Sequence, residues 1–175
     1  MATSNKIKLA AAELLAKSKV KSAPVNVEGL AKKLGISINY EPFKEDLSGV
    51  LVKEKKRTVI GVNSSHPKTR QRFTIAHELG HFALKHDGEL FIDKTVMKRD
   101  GRSSQAIDPQ EIEANSFAAE ILMPSELLLK SVEKLLDGKT GYSAEDLISD
   151  LADEFEVSTQ AMEYRLTNLG IYMPQ

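Results

Sequence analysis

Apolar residues at Ile7, Ala10, Ala11, Leu14 and Leu15 recur at the spacing of a helix with one buried face, predicting a helix over roughly residues 5–18. Leu30 and Leu34 suit a second, short helix, with Asn26 as its N-cap and Gly35 at its end. The period then drops to two. Ile36-Ser37-Ile38-Asn39-Tyr40 alternates as a strand does. Gly49–Val52 and Thr58–Val62 are strand-like runs joined by the charged tip Lys53-Glu54-Lys55-Lys56-Arg57, a hairpin pattern. Helical spacing returns with Phe73, Ala76, Leu79, Ala83 and Leu84, after a start signal at Ser65 and Pro67. Residues 87–107 have weak periodicity and read as a loop with one short strand near Leu90–Ile92. Asp108-Pro109 opens a further helix that Pro124 ends, and Ser125, Ser143 and Ser158 stand as caps of short helices beyond it. Helix, small sheet, then helices only: this order predicts an α+β protein.

A chain of 175 residues suffices for one compact domain with a small appendage. The expected division is a main domain over residues 1–130 and a C-terminal helical subdomain over 131–175. Lys8 and Glu13 interrupt the apolar run near the N-terminus, which is no secretion signal, and no stretch approaches the roughly 18 apolar residues of a membrane span. A cytoplasmic protein with no membrane partner is expected. The chain has no cysteine, so any metal must sit on histidine and carboxylate. The net charge of −1 hides an asymmetry. Residues 1–100 carry 19 Lys/Arg against 11 Asp/Glu, a net of +8, whereas residues 141–175 carry one Arg against seven acids, a net of −6.

The chemistry concentrates in Phe73-Thr74-Ile75-Ala76-His77-Glu78-Leu79-Gly80-His81. Histidines four apart on a helix lie one turn above the other, so both imidazoles reach one ion. Glu78 then stands beside the metal as the base that takes a proton from activated water, the work of a zinc peptidase. The competing reading is a chance pair of surface histidines. It is weakened by the apolar helical flanks and by there being only four histidines in the chain. Gly80 points the same way, since a glycine inside a helix costs about 1 kcal/mol relative to alanine and is tolerated where something packs close to the backbone.

Two histidines and a water leave one protein ligand to find. The next helix offers Glu111, Glu113 and Glu120. Glu111 and Asn115, four apart, allow Glu111 to bind metal while Asn115 hydrogen-bonds a ligand histidine. Glu113 points roughly 200° away from Glu111. Alternatively, Asp108-Pro109-Gln110-Glu111 has capping-box spacing, and Glu111 would reach back to Asp108. His66 precedes Pro67 at a helix start and His86 lies five residues beyond His81, off the ligand face; both are expected in solvent.

Two separated motifs, Arg70-Gln71-Arg72-Phe73-Thr74-Ile75-Ala76-His77-Glu78-Leu79-Gly80-His81 and Glu111-Ile112-Glu113-Ala114-Asn115-Ser116-Phe117-Ala118-Ala119-Glu120-Ile121-Leu122-Met123-Pro124, resemble the ImmA/IrrE family of metallopeptidases. The similarity spans about residues 24–125, including the Leu47-Ser48-Gly49-Val50 strand start. The resemblance implies a zincin-like core of gluzincin type, with an active-site helix beside a small sheet and a C-terminal helical extension. By position it assigns the metal to His77, His81 and Glu111 and the catalytic base to Glu78. It implies Zn2+ as cofactor, with Mn2+ as an alternative, and a helix-turn-helix repressor as the protein substrate. An exposed strand beside such a site would bind the substrate backbone by strand addition, for which Thr58–Val62 or Gly49–Val52 are the candidates. Tyr40 and Arg72 are the candidates for stabilising an oxyanion.

Residues 151–166 resemble a helix-turn-helix, with a tight turn ending at Ser158 and Ala161, Arg165 and Leu166 on the second helix. That suggests a rival function, a DNA-binding regulator. Duplex affinity comes largely from Lys and Arg on phosphates, and a segment of net −6 opposes it, so no direct nucleic-acid partner is expected. A third reading is a non-catalytic metal-holding scaffold that sequesters a partner protein.

Overall fold

Four short strands form one mixed sheet in the computed structural model, which describes residues 2–44, 46–94, 108–137 and 141–172. β1 (Ile36–Glu41), β2 (Leu47–Lys53), β3 (Thr58–Asn63) and β4 (Leu90–Lys94) lie in the order β1-β3-β2-β4. β2 and β3 make the expected antiparallel hairpin, with Lys53 opposite Thr58. β1 pairs with β3 in parallel, and β4 runs antiparallel to β2. Both strands singled out for substrate addition, Gly49–Val52 and Thr58–Val62, are therefore internal. Their edges are taken on both sides, because an apolar run reads alike whether it ends up central or marginal. The strand beside the site that lies at a sheet edge is β4. The rest of the expected 87–107 loop, from residue 95, lies outside the described residues.

Seven helices complete the described residues: α1 (Ala2–Lys17), α2 (Val27–Lys33), α3 (Lys68–Ala83), α4 (Pro109–Leu122), α5 (Ser125–Leu136), α6 (Ala144–Phe155) and α7 (Thr159–Asn168). Among them no helix is long and apolar enough to cross a membrane. Local chemistry sets several ends. Asn26 Oδ1 accepts from Gly29 N at 2.8 Å, Asp108 from Gln110 N at 2.9 Å, and Ser143 and Ser158 from the third residue beyond them. Ser125 caps nothing: it is the first residue of α5, after Pro124.

α3 is the spine. It packs on the sheet on one side and on α4 on the other, and Ile75, Ala76 and Leu79 enter a core shared with Leu51, Ile60, Phe117 and Ile121. Gly80 makes the α3–α4 contact possible. A Cβ there would stand 3.0 Å from Ala114 Cα and 3.1 Å from Ala114 O. Backbone meets backbone at that point, which accounts for a glycine inside a helix.

Two arginines tie the acidic C-terminal helices to this spine. Arg165 of α7 is buried, forms two bonds with Glu120 of α4 at 2.9 and 2.6 Å, and donates to Met123 O at 3.0 Å. Arg72 of α3 reaches the α6–α7 turn, donating to Glu156 O at 3.3 Å and Val25 O at 3.0 Å and pairing with the Glu156 carboxylate at 3.2 Å. Glu156 takes the left-handed conformation that lets the turn close (φ 51). Removing one member of a buried charge pair costs about 3–5 kcal/mol, whereas replacing both with apolar groups is often neutral. Arg165→Met should therefore lower the urea-unfolding stability by roughly that amount, and the double variant Arg165→Met/Glu120→Met should recover most of it.

Candidate metal centre

α3 presents His77 and His81 one turn apart, and the α3–α4 contact at Gly80 lays the first turn of α4 across them. His77 Nε2 lies 3.1 Å from His81 Nε2. Glu111 Oε2 is 3.2 Å from His77 Nε2, and Glu111 Oε1 is 3.3 Å from His81 Nε2. A tetrahedral zinc with bonds of about 2.0–2.1 Å holds its ligand atoms roughly 3.3 Å apart. Two imidazole nitrogens and a carboxylate that turns one oxygen towards each ring suit such an ion, and leave a position for water or substrate. Among the described residues these three side chains are the group able to hold a metal. Glu111 faces the histidines and does not close a capping box; Asp108 caps the helix alone.

The remaining carboxylates of α4 go elsewhere. Glu113 meets His86 at 3.1 Å and Glu120 meets Arg165. Asn115 Oδ1 lies 3.0 Å from His77 Nδ1, the arrangement that its spacing from Glu111 predicts. His86 departs from expectation. It is 8 % exposed, with Nδ1 3.0 Å from His81 Nδ1. An ideal helix continued to residue 86 would carry it away from His81, but α3 ends first and the chain turns back. His66 is half-buried beside Asn63. Neither oxyanion candidate lies at the centre: Arg72 is engaged with the α6–α7 turn, and the Tyr40 hydroxyl bonds to Glu28.

Glu78 is the most unusual group in the fold. It is fully buried, and neither carboxylate oxygen has a hydrogen-bond partner among the described residues. A buried polar atom without a partner costs free energy, so such a group calls for a functional reason. Burial pushes its pKa up to about 8, with the carboxylates of Asp93 and Glu111 adding to the rise and His77 opposing it. Gly49 of β2 closes the space above. A Cβ at that position would fall 2.2 Å from Thr74 Cγ2 and 3.6 Å from Glu78 Oε1. The two histidines hold Glu111 well below the usual carboxylate range through their hydrogen bonds. Burial works against a proton on both rings. At His81 it prevails and the pKa falls, whereas at His77 the Glu111 hydrogen bond and neighbouring carboxylates outweigh it.

Comparison with known proteins places the chain among peptidases. Residues 31–167 match the peptidase family described as IrrE N-terminal-like domain. The chain is 36% identical over 114 residues to the radiation response metalloprotease IrrE of Deinococcus radiodurans, covering 65% of this chain and 32% of that protein. It is 35% identical over 132 residues to the protein of the same name from Deinococcus deserti, covering 75% and 43%. A Bacillus phage phi105 protein named uncharacterized immunity region protein 2 is 31% identical over 106 residues, covering 58% and 63%. The chain thus spans less than half the length of the two Deinococcus relatives. A Mycobacterium tuberculosis transcriptional regulator shares the fold, with a TM-score of 0.60 at 18% identity, covering 93% of this chain and 46% of that one.

The raised pKa of Glu78 has a consequence for the metal-free protein. The unfolded chain ionises this group near 4.5 and the folded chain near 8. Between those values the folded state holds a proton that the unfolded state has lost, so this contribution to stability is complete below pH 4.5 and gone above about pH 8. Each pH unit of displaced ionisation is worth about 1.4 kcal/mol. Urea unfolding of the metal-free chain at pH 5 and pH 8.5 should show wild type losing a few kcal/mol relative to Glu78→Gln, which cannot ionise. Parallel pH profiles for the two proteins would contradict the assignment.

Proposed function

Because the chain belongs to the IrrE N-terminal-like domain family of peptidases, we propose that it is a zinc-dependent endopeptidase cutting a peptide bond in a regulatory protein, a helix-turn-helix repressor being the expected substrate. The observation that carries this reading is the buried Glu78 carboxylate, without a hydrogen-bond partner among the described residues, beside the donor triad of His77, His81 and Glu111. Zinc is the ion this nitrogen-rich set suits, with manganese as the alternative. When bound, it acidifies a water and polarises the scissile carbonyl. Glu78 takes the proton of the attacking water on a carboxylate oxygen and hands it to the leaving amine. His77, His81 and Glu111 keep their donor atoms converged while Asn115 fixes the His77 ring. The extended substrate backbone adds to the outer edge of β4, where Leu90 and Ile92 are exposed.

The fold read in this way is a gluzincin-type zincin core over residues 1–130 with a helical subdomain over 131–175, acting in the cytoplasm. The phage relative, named as an immunity region protein, supports a regulatory protein as substrate. Nucleic-acid binding is disfavoured by a specific observation. Arg165, the single basic residue of 141–175, is buried against Glu120 and unavailable to phosphate.

The test uses the purified chain, zinc-loaded or chelator-stripped, with the helix-turn-helix repressor encoded beside it. Cleavage at one bond is expected with zinc and none after stripping. Glu78→Gln should retain zinc but cut at least about 100-fold more slowly, the lower bound for a general base, and His77→Ala should lose the metal. Full biological activity in the metal-loaded Glu78→Gln variant would establish the sequestering scaffold instead.

A further inference from the structure

His86 sits five residues beyond His81 and touches it because of how α3 ends. Leu84 N bonds to Gly80 O at 3.0 Å, Lys85 N to Phe82 O at 3.2 Å and His86 N to His81 O at 3.1 Å, with Lys85 in the left-handed conformation (φ 58). This pair of crossed bonds is the Schellman motif, which brings the second residue past the C-cap against the third-last helical residue. Here those positions are His86 and His81. The usual apolar contact between them is replaced by two imidazoles, Nδ1 to Nδ1 at 3.0 Å. The far side of His86 is held as well. Nε2 lies 3.1 Å from Glu113 Oε2, and Lys53 Nζ donates to His86 O at 2.7 Å. His81 itself is clamped by the Phe91 ring, with centroids 4.4 Å apart.

Proton counting fixes the direction of this chain. The Glu113 carboxylate only accepts, so His86 Nε2 carries the hydrogen between them. With one hydrogen on the His86 ring, its Nδ1 keeps a lone pair, and the hydrogen between the two Nδ1 atoms belongs to His81. That leaves the lone pair of His81 on Nε2, the atom facing His77 and Glu111. We propose that His86 is a positioning residue: held by Glu113, it fixes the tautomer and orientation in which His81 offers Nε2 to the metal. α4 thereby serves the centre three times, with Glu111 beside both rings, Asn115 behind His77, and Glu113 behind His81 through His86. Outer partners of ligand histidines typically contribute 10–100-fold in metal affinity.

The inference rests on the metal-centre reading, and zinc affinity of the full chain, measured by competition with a chromophoric chelator, separates the two. Wild type should bind one zinc. His86→Leu should bind roughly 10–100-fold more weakly with its urea midpoint retained, Glu113→Leu should weaken binding in the same direction, and His86→Asn, whose side-chain carbonyl can still accept from His81, should approach wild type. In the zinc-loaded wild type, long-range 1H–15N spectra should report His86 with its hydrogen on Nε2, a readout that does not depend on any variant folding. His86→Leu equal to wild type within twofold, or His86 carrying its hydrogen on Nδ1, overturns the inference alone. A wild-type chain that binds no zinc overturns the metal centre together with it.

Discussion

The contact between α3 and α4 at Gly80 and Ala114 governs where every candidate site residue stands. α3 alone supplies two imidazoles and a carboxylate on consecutive turns, but no third ligand and nothing to fix the rings. Those come from residues 111, 113 and 115, a single stretch of α4, and they reach the histidines only if the two backbones approach to the distance that a side chain at position 80 would forbid. The conformational freedom of glycine plays no part here, since Gly80 is helical. Its value lies in the missing Cβ.

A second constraint follows from burying Glu78 with no hydrogen-bond partner among the described residues. Glu78 is fully buried between α3 and the sheet, where Gly49 of β2 closes over it beside Thr74. Such an enclosure raises the free energy of an ionised carboxylate and strengthens its interaction with any cation placed beside it. The same packing that destabilises Glu78 in isolation therefore favours a divalent ion at the neighbouring triad. Stability is given up locally at one desolvated carboxylate, and the shared core of α3, α4 and the sheet offsets that cost.

The C-terminal helices acquire a clearer role from their attachments than from their outline. Two helices joined by a turn resemble a DNA reader in sequence, but charge and burial oppose that use. The one arginine is spent on Glu120, and Arg72 grips the α6–α7 turn from the helix that carries His77 and His81. α6 and α7 are thus fastened to both helices of the candidate centre. Arg72, a candidate for oxyanion stabilisation on sequence grounds, holds the α6–α7 turn instead.

Much of this was legible in the chain. Periodicity and caps marked the helices and the β2–β3 hairpin, because local hydrogen bonding and amphipathic spacing act over a few residues. His77, Glu78 and His81 were legible for the same reason, four residues being one helical turn, and Asn115 followed from its distance to Glu111. The sequence did not disclose the sheet order, the edge position of β4, or the partners of Glu120 and Arg72, since each depends on which distant segments meet. His86 is not legible from spacing, because an uninterrupted helix beyond Leu84 would send it outward; the turn that brings it back has Lys85 where glycine is usual. What the sequence by itself determined was the set of donor atoms on each helix. Only the tertiary structure decided which of them converge, because convergence depends on the packing distance between helices, and that distance is set by side chains far from the donors themselves.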